Sequence, residues 1–137
     1  MKKSLIYSFS CAMVLFSLSA VYVKAQEVKP WSVPDKYNTM KSTVKPGDAD
    51  AITTGTNLWA KQCKSCHGIK GIGDGPKAAT LKATPVDFSA TAFQKQTDGA
   101  IYYKSFIGRD EMPNFEKIII SEYDRWALIA FIRTMGK

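Results

Sequence analysis

The sequence predicts a small all-α fold with an irregular N-terminal arm, and three stretches carry that expectation. Asp48 or Asp50 can cap a helix running from about Ala51 to Cys63, with Ile52, Gly55, Leu58, Trp59 and Gln62 covering neighbouring faces. Thr97-Asp98-Gly99 starts another helix, Ala100 to Ile107, closed by Gly108. Its Ile101, Tyr102, Phe106 and Ile107 suit one buried face. Ser121-Glu122-Tyr123-Asp124 has the pattern of a capping box before a last helix that reaches Met135 and stops at Gly136. Trp126, Ile129, Ala130 and Ile132 form a stripe along it, with Leu128 and Phe131 beside them, so this helix needs a packing partner.

The connecting segments are short and rich in turn residues. Gly55 costs roughly 1 kcal/mol inside a helix relative to Ala, which predicts a close neighbour at that point. Gly68 to Pro76 holds four glycines and ends in a Gly-Pro step. It reads as a loop rather than a phosphate cradle, because no Gly-Lys-Ser/Thr follows and no strand precedes it. Ala78 to Leu81 suggests a short turn, Pro85 to Phe88 extended chain, and Ser89 or Thr91 the opening of a brief helical turn.

The N-terminal third has a different character. Met1-Lys2-Lys3 is basic, Ser4 to Val23 is uncharged, and Val23-Lys24-Ala25 offers the small-x-small pattern of a signal peptidase site. Residues 1–25 are therefore expected to be an export signal cleaved after Ala25. The run from 4 to 23 is also long enough to span a bilayer, so a retained anchor facing the exported side is the competing reading. Five serines dilute its hydrophobicity and favour cleavage. Residues 26–50 contain Pro30, Pro34, Pro46 and Gly47, a composition that resists regular structure. Trp31, Val33, Tyr37 and Met40 recur within this arm and are expected to lay it on the domain at 51–137.

With 137 residues, 45% hydrophobic and 12% aromatic, the chain is sized for one domain with one modest core. Its formal charge of +7 includes Lys2, Lys3 and Lys24, so loss of residues 1–25 leaves +4. Lys61, Lys64, Lys70, Lys77 and Lys82 cluster in sequence with only Asp74 among them. A solvated surface explains such a cluster, but so does steering of a protein partner with an acidic docking surface. Nucleic acid is a poor candidate, because no recognised binding motif accompanies the charge.

Within that basic stretch lies Cys63-Lys64-Ser65-Cys66-His67, two thiols three apart followed by the single histidine of the sequence. The spacing reads as a covalent haem attachment site. On a helix, Cys63 neighbours both Cys66 and His67, so both thiols can reach the two vinyl groups while the imidazole reaches the iron. A zinc site wants four ligands, and no second pair exists, since Cys11 lies in the N-terminal apolar run. A thioredoxin-like pair expects a strand-helix-strand context and gives His67 no necessary role.

A second iron ligand is sought in Gly108-Arg109-Asp110-Glu111-Met112-Pro113. Proline disfavours helical geometry at the residue before it, so Met112 is expected on extended chain in a polar loop, where its thioether can turn inward. A core methionine fills gaps along helical stripes, which is where Met112 does not sit. Met40 and Met135 are weaker candidates. Arg109 is expected at the surface, with pairing to a propionate as its alternative.

Together these residues resemble a class I mono-haem cytochrome c over roughly 51 to 137. They are Gly55 and Trp59 in the first helix, Cys63-Cys66-His67, the loop Gly73-Asp74-Gly75-Pro76, Met112-Pro113, and a final helix containing Phe131-Ile132-Arg133. The resemblance implies three to four helices around one haem, with the first and last helices crossing at Gly55 under Phe131. It also implies a proline carbonyl accepting the axial histidine's second N–H, and Pro76 and Pro85 both remain open. The expected function is an exported, periplasmic one-electron carrier with one haem c, held by Cys63 and Cys66 and ligated by His67 and Met112. It would be no enzyme. The alternatives are a subunit fixed in a membrane oxidoreductase, or a haem enzyme or gas sensor with a displaceable sixth ligand.

Overall fold

The computed structural model describes residues 30–136. In order, the described elements are α1 (Asp35–Asn38), α2 (Ala49–Leu58), a π-helical turn (Trp59–Cys63), α3 (Lys64–His67), a 3-10 turn (Ala78–Thr80), α4 (Thr91–Gln94), α5 (Asp98–Ile107) and α6 (Glu122–Arg133). Among the described residues there is no strand, and the one isolated bridge pairs Arg109 with Met112.

The helix starts follow the capping residues. Asp48 accepts the Ala51 N–H at 2.9 Å, Thr97 accepts that of Ala100 at 3.1 Å, and Ser121 accepts that of Asp124 at 3.2 Å. Each satisfies one of the four donors that a helix start leaves unpaired. The helices begin one residue after these caps, so α2 and α5 start two residues earlier than the apolar pattern suggests. Gly108 closes α5 with a φ of 72°, where a side chain is disfavoured. The last helix ends at Arg133, short of Met135, because Thr134 and Met135 continue as a turn.

The most extensive helix contact is between α2 and α6, which also packs on α5. Being covered from two sides, α6 buries more than one stripe: Trp126, Ala127, Leu128, Ile129 and Ile132 are all inside, while Ala130 and Phe131 are half-buried. From α5 come Ile101, Tyr102 and Phe106, and from α2 and its extension Ala51 and Trp59. Full burial stabilises each aliphatic or Phe side chain by roughly 1.5–3 kcal/mol. Arg133 ties the end of α6 to the α4–α5 link, with an ion pair to Asp98 at 2.6 Å and hydrogen bonds to the carbonyls of Gln94 and Gln96 at 2.7 and 2.6 Å.

Gly55 is the crossing point. A Cβ there would collide with the Ala127 carbonyl oxygen and come within 2.7 Å of the Phe131 Cβ. The neighbours are backbone and the root of a side chain, neither of which can swing aside. Gly55→Leu is therefore expected to destabilise the fold by at least the 1–3 kcal/mol typical of overpacking. An unchanged thermal melting curve would count against this crossing.

The arm residues from Trp31 to Pro46 pack on α5 rather than trailing from it. The Tyr37 ring lies 4.6 Å from that of Tyr103, tilted by 50°, Tyr37 and Met40 pack against the core, and Val44 is buried. One turn of the arm is helical, α1, where its prolines suggested no regular structure. Pro34 stands just before the first helical residue, and its carbonyl accepts the Tyr37 N–H at 2.9 Å. Residues 1–29, with the export signal, its alternative as an anchor, and Cys11, lie outside the described residues. Among the described residues no helix is long and apolar enough to cross a membrane.

Candidate haem site

The helix that begins at Ala49 does not run regularly into the Cys63–His67 motif. Through Trp59–Cys63 it opens to π geometry, with Lys64 N–H bonded to the Trp59 carbonyl. One extra residue per turn rotates the next segment by about 100° relative to a straight α-helix. Trp59 is buried in the core, while Cys63, which packs against that core, and Cys66 and His67 stay half-buried. Nothing in the hydrophobic periodicity announces this turn.

The glycine-rich loop folds back on the helix end. The N–H groups of Gly73, Gly75 and Lys77 donate to the carbonyls of His67, Cys66 and Ser65 at 3.0, 3.2 and 2.8 Å. These are carbonyls that a helix C-terminus leaves unpaired. A Cβ on Gly75 would lie 2.6 Å from the Cys66 carbonyl, so no larger residue lets the loop approach this closely.

His67 is held from behind. The Phe88 ring stacks on its imidazole at 4.7 Å and 20°, the Trp59 ring lies 5.8 Å away, and the Trp59 indole N–H donates to the Gly68 carbonyl at 3.0 Å. Phe88 is fixed by donating its own N–H to the Gly71 carbonyl at 2.8 Å. Burial lowers the His67 pKa, and the Val86 carbonyl partly opposes that shift. The net result is a ring neutral at neutral pH, the form that ligates metals. Its Nδ1 is buried with no hydrogen-bond partner. The backbone carbonyl that acts on the ring is that of Val86, the residue after Pro85.

Cys63 and Cys66 are free thiols. Burial, reinforced by the charge of Cys66, pushes the Cys63 pKa up to about 12, so that thiol is protonated at neutral pH. Among the described residues no group of three or more His, Cys, Asp and Glu side chains could hold a metal ion. Cys63, Cys66 and His67 nevertheless place two thiols and one unpartnered imidazole on adjoining turns, a donor set that suits a haem bonded through both sulfurs.

Met112 stands elsewhere in the chain, on a tight turn. Arg109 N–H donates to the Met112 carbonyl at 3.0 Å and Met112 N–H to the Arg109 carbonyl at 2.9 Å. Asp110 takes the left-handed conformation between them, with a φ of 53° that Asp tolerates better than most residues. The Glu111 carboxylate accepts the Lys82 N–H at 2.7 Å, which joins this turn to the lysine-bearing segment after the motif. Phe115 N–H donates to the Phe106 carbonyl at 2.8 Å and closes the loop. The chain beyond it is held by Arg125, whose guanidinium donates to the carbonyls of Ile119 and Glu116 at 2.6 and 2.7 Å and to the Tyr102 hydroxyl at 3.1 Å. Arg109 pairs with Asp110 at 3.3 Å and lies 4.6 Å over the Trp31 ring. Sequence reasoning gave no role to Phe88, Val86 or Arg125, whose partners His67 and Tyr102 lie about twenty residues from them along the chain.

Residues 50–132, more than half of the chain, match the family model described as cytochrome C oxidase, cbb3-type, subunit III. No curated protein matches the chain. Among solved structures it is similar to a chain of the Kuenenia stuttgartiensis reducing HAO-like protein complex Kustc0457/Kustc0458, at 25% identity and a TM-score of 0.59 over 69% of this chain. It spans only 47% of that chain. The KustC0563 c-type cytochrome is similar at 27% identity and a TM-score of 0.50, covering 61% of this chain and 98% of that one. Cytochrome CL from the marine methylotrophic bacterium Methylophaga aminisulfidivorans MPT shares the fold, at 18% identity and a TM-score of 0.50, over 65% of this chain and 57% of that one. The crossing of α2 and α6, the paired thiols before His67 and the family match agree: this chain belongs to that family and is a class I c-type cytochrome, an electron-transfer protein carrying covalently bound haem c.

Proposed function

We propose that the protein is an exported one-electron carrier, in which Cys63 and Cys66 hold the haem and His67 and Met112 occupy both axial positions of its iron. The observation that carries this reading is the buried, unpartnered Nδ1 of His67 beside two free thiols. On this reading the Val86 carbonyl, which acts on the ring, is the acceptor for that N–H and Nε2 is the atom left for the metal, the arrangement by which outer partners fix a ligating histidine. When bound, the haem supplies a reversible ferric/ferrous couple, which Met/His ligation shifts toward the reduced state. With both axial positions filled, no substrate has a place at the iron, so the protein is no enzyme.

Its partners are redox proteins, and we infer that they present acidic docking surfaces. Lys61, Lys64, Lys70, Lys77 and Lys82 are all exposed, as are Ile69 and Ile72 among them in the chain. Exposed basic charge speeds encounter with an acidic face through on-rate. A second reading, a subunit fixed in an oxidoreductase, is favoured by the family model's description and by the complex from which one structural relative comes. The test is an optical spectrum of the purified protein in both oxidation states. The expected result is a six-coordinate low-spin spectrum in each, with a reduced band typical of two thioether-linked vinyls. A high-spin reduced spectrum would sink the carrier reading.

A further inference from the structure

The arm that precedes the family match runs antiparallel to α5 and ends on the turn that bears Met112. Near the start of α5, Gly99 lies against the Tyr37 carbonyl and the Met40 side chain, such that a Cβ there would collide with the one and stand 3.1 Å from the other. Midway, the Tyr37 ring packs in a tilted arrangement against that of Tyr103. Beyond the end of α5, the Arg109 guanidinium lies 4.6 Å over the Trp31 ring. Arg109 is in turn bonded through both its backbone groups to Met112, so whatever fixes Arg109 fixes the turn. The charge of Arg109 is also felt at Lys104 on α5, whose pKa is lowered first by burial and then by that charge.

We propose that residues 31–44 form a strap whose Trp31 is a positioning residue for the sixth iron ligand, holding the Arg109–Met112 turn against α5 so that the thioether stays on the iron. This rests on ligation by Met112. The match to the family model begins at residue 50, after the strap. The physical logic is a population shift. An external ligand binds only to the fraction of molecules with the methionine displaced, and its apparent affinity scales with that fraction. A cation-π contact over an indole is strong enough to change that fraction roughly two- to tenfold.

The experiment uses the haem-loaded protein, with carbon monoxide as probe of the reduced form and imidazole of the oxidised form. Trp31→Ala is expected to raise both apparent affinities roughly two- to tenfold. Trp31→Phe keeps an aromatic face under the guanidinium and should stay near wild type. Arg109→Leu removes the cation while leaving Trp31 in place, so the result does not depend on the alanine variant folding. The double variant should not exceed Arg109→Leu, because that change already removes the contact with Trp31 along with the ion pair to Asp110. Ile120→Ala, at a position 80% exposed to solvent, should change nothing. Loss of thermal stability with both affinities unchanged overturns the strap, since a merely structural arm would behave that way. If Met112→Ala binds both probes strongly while Trp31→Ala and Arg109→Leu match wild type, the strap alone fails. If Met112→Ala matches wild type, ligation fails and the strap with it.

Discussion

Replacing both Cys63 and Cys66 with alanine is expected to abolish all haem staining on a denaturing gel. The two side chains are free thiols in the fold, and each would otherwise hold the haem through a thioether bond that survives unfolding. Each single variant keeps one such bond and should remain stained. The double variant keeps only the contacts to iron, and these depend on a folded chain. His67 is stacked on Phe88 and held at the end of α3 by the loop that returns to it, so the pocket itself has reason to persist without the thiols. Haem is then expected in the native double variant but not after denaturation. Stain retained by the double variant would mean that some other residue holds the haem, and the role given to both cysteines would be wrong.

What the sequence made legible was local. The caps Asp48, Thr97 and Ser121 each act within three residues, so their side chains and the N–H groups they accept can be read together. Gly55 was legible for a different reason: a helix does not accept a glycine's cost without a close neighbour, and the neighbour is the α6 backbone. The π turn was not legible, because Trp59 to Cys63 has no residue that forbids α geometry. Its cause is tertiary, with Trp59 drawn into the core against Phe88 and Phe131. Val86 was hidden likewise. A backbone carbonyl carries no sequence signal, and attention to prolines pointed one residue short of it. Arg125 looked like an ordinary charged residue of a helix's first turns, yet its three acceptors lie on Glu116, Ile119 and Tyr102. Of the proposed site, then, the contiguous motif was readable, whereas the groups that hold it in place were not.

The largest electronic effect is expected from Met112→Ala. The structure gives the rival methionines other employment: Met40 packs against the core beside Gly99, and Met135 against the core beside Gly71. Both do what a flexible apolar side chain does in a gap. Met112 is half-buried on an irregular turn closed by its own bridge to Arg109 and restrained by two other segments, through Lys82 and Phe106. A turn so fixed, around a residue with no core stripe of its own, is what a ligand needs and a gap-filler does not. On the proposed ligation, loss of the thioether removes the ligand that favours ferrous iron, so the midpoint potential should fall, on the order of 100 mV within the roughly 0.8 V range that axial ligands span. Reduced Met112→Ala should then also bind carbon monoxide readily at neutral pH, where wild type should bind it poorly. Met40→Ala and Met135→Ala, both half-buried, should lose less stability than the roughly 2–5 kcal/mol of a fully buried methionine, and change neither potential nor gas binding. A wild type that already binds carbon monoxide, with both properties unmoved in Met112→Ala, would instead make the iron an open site and the protein a candidate haem enzyme or sensor.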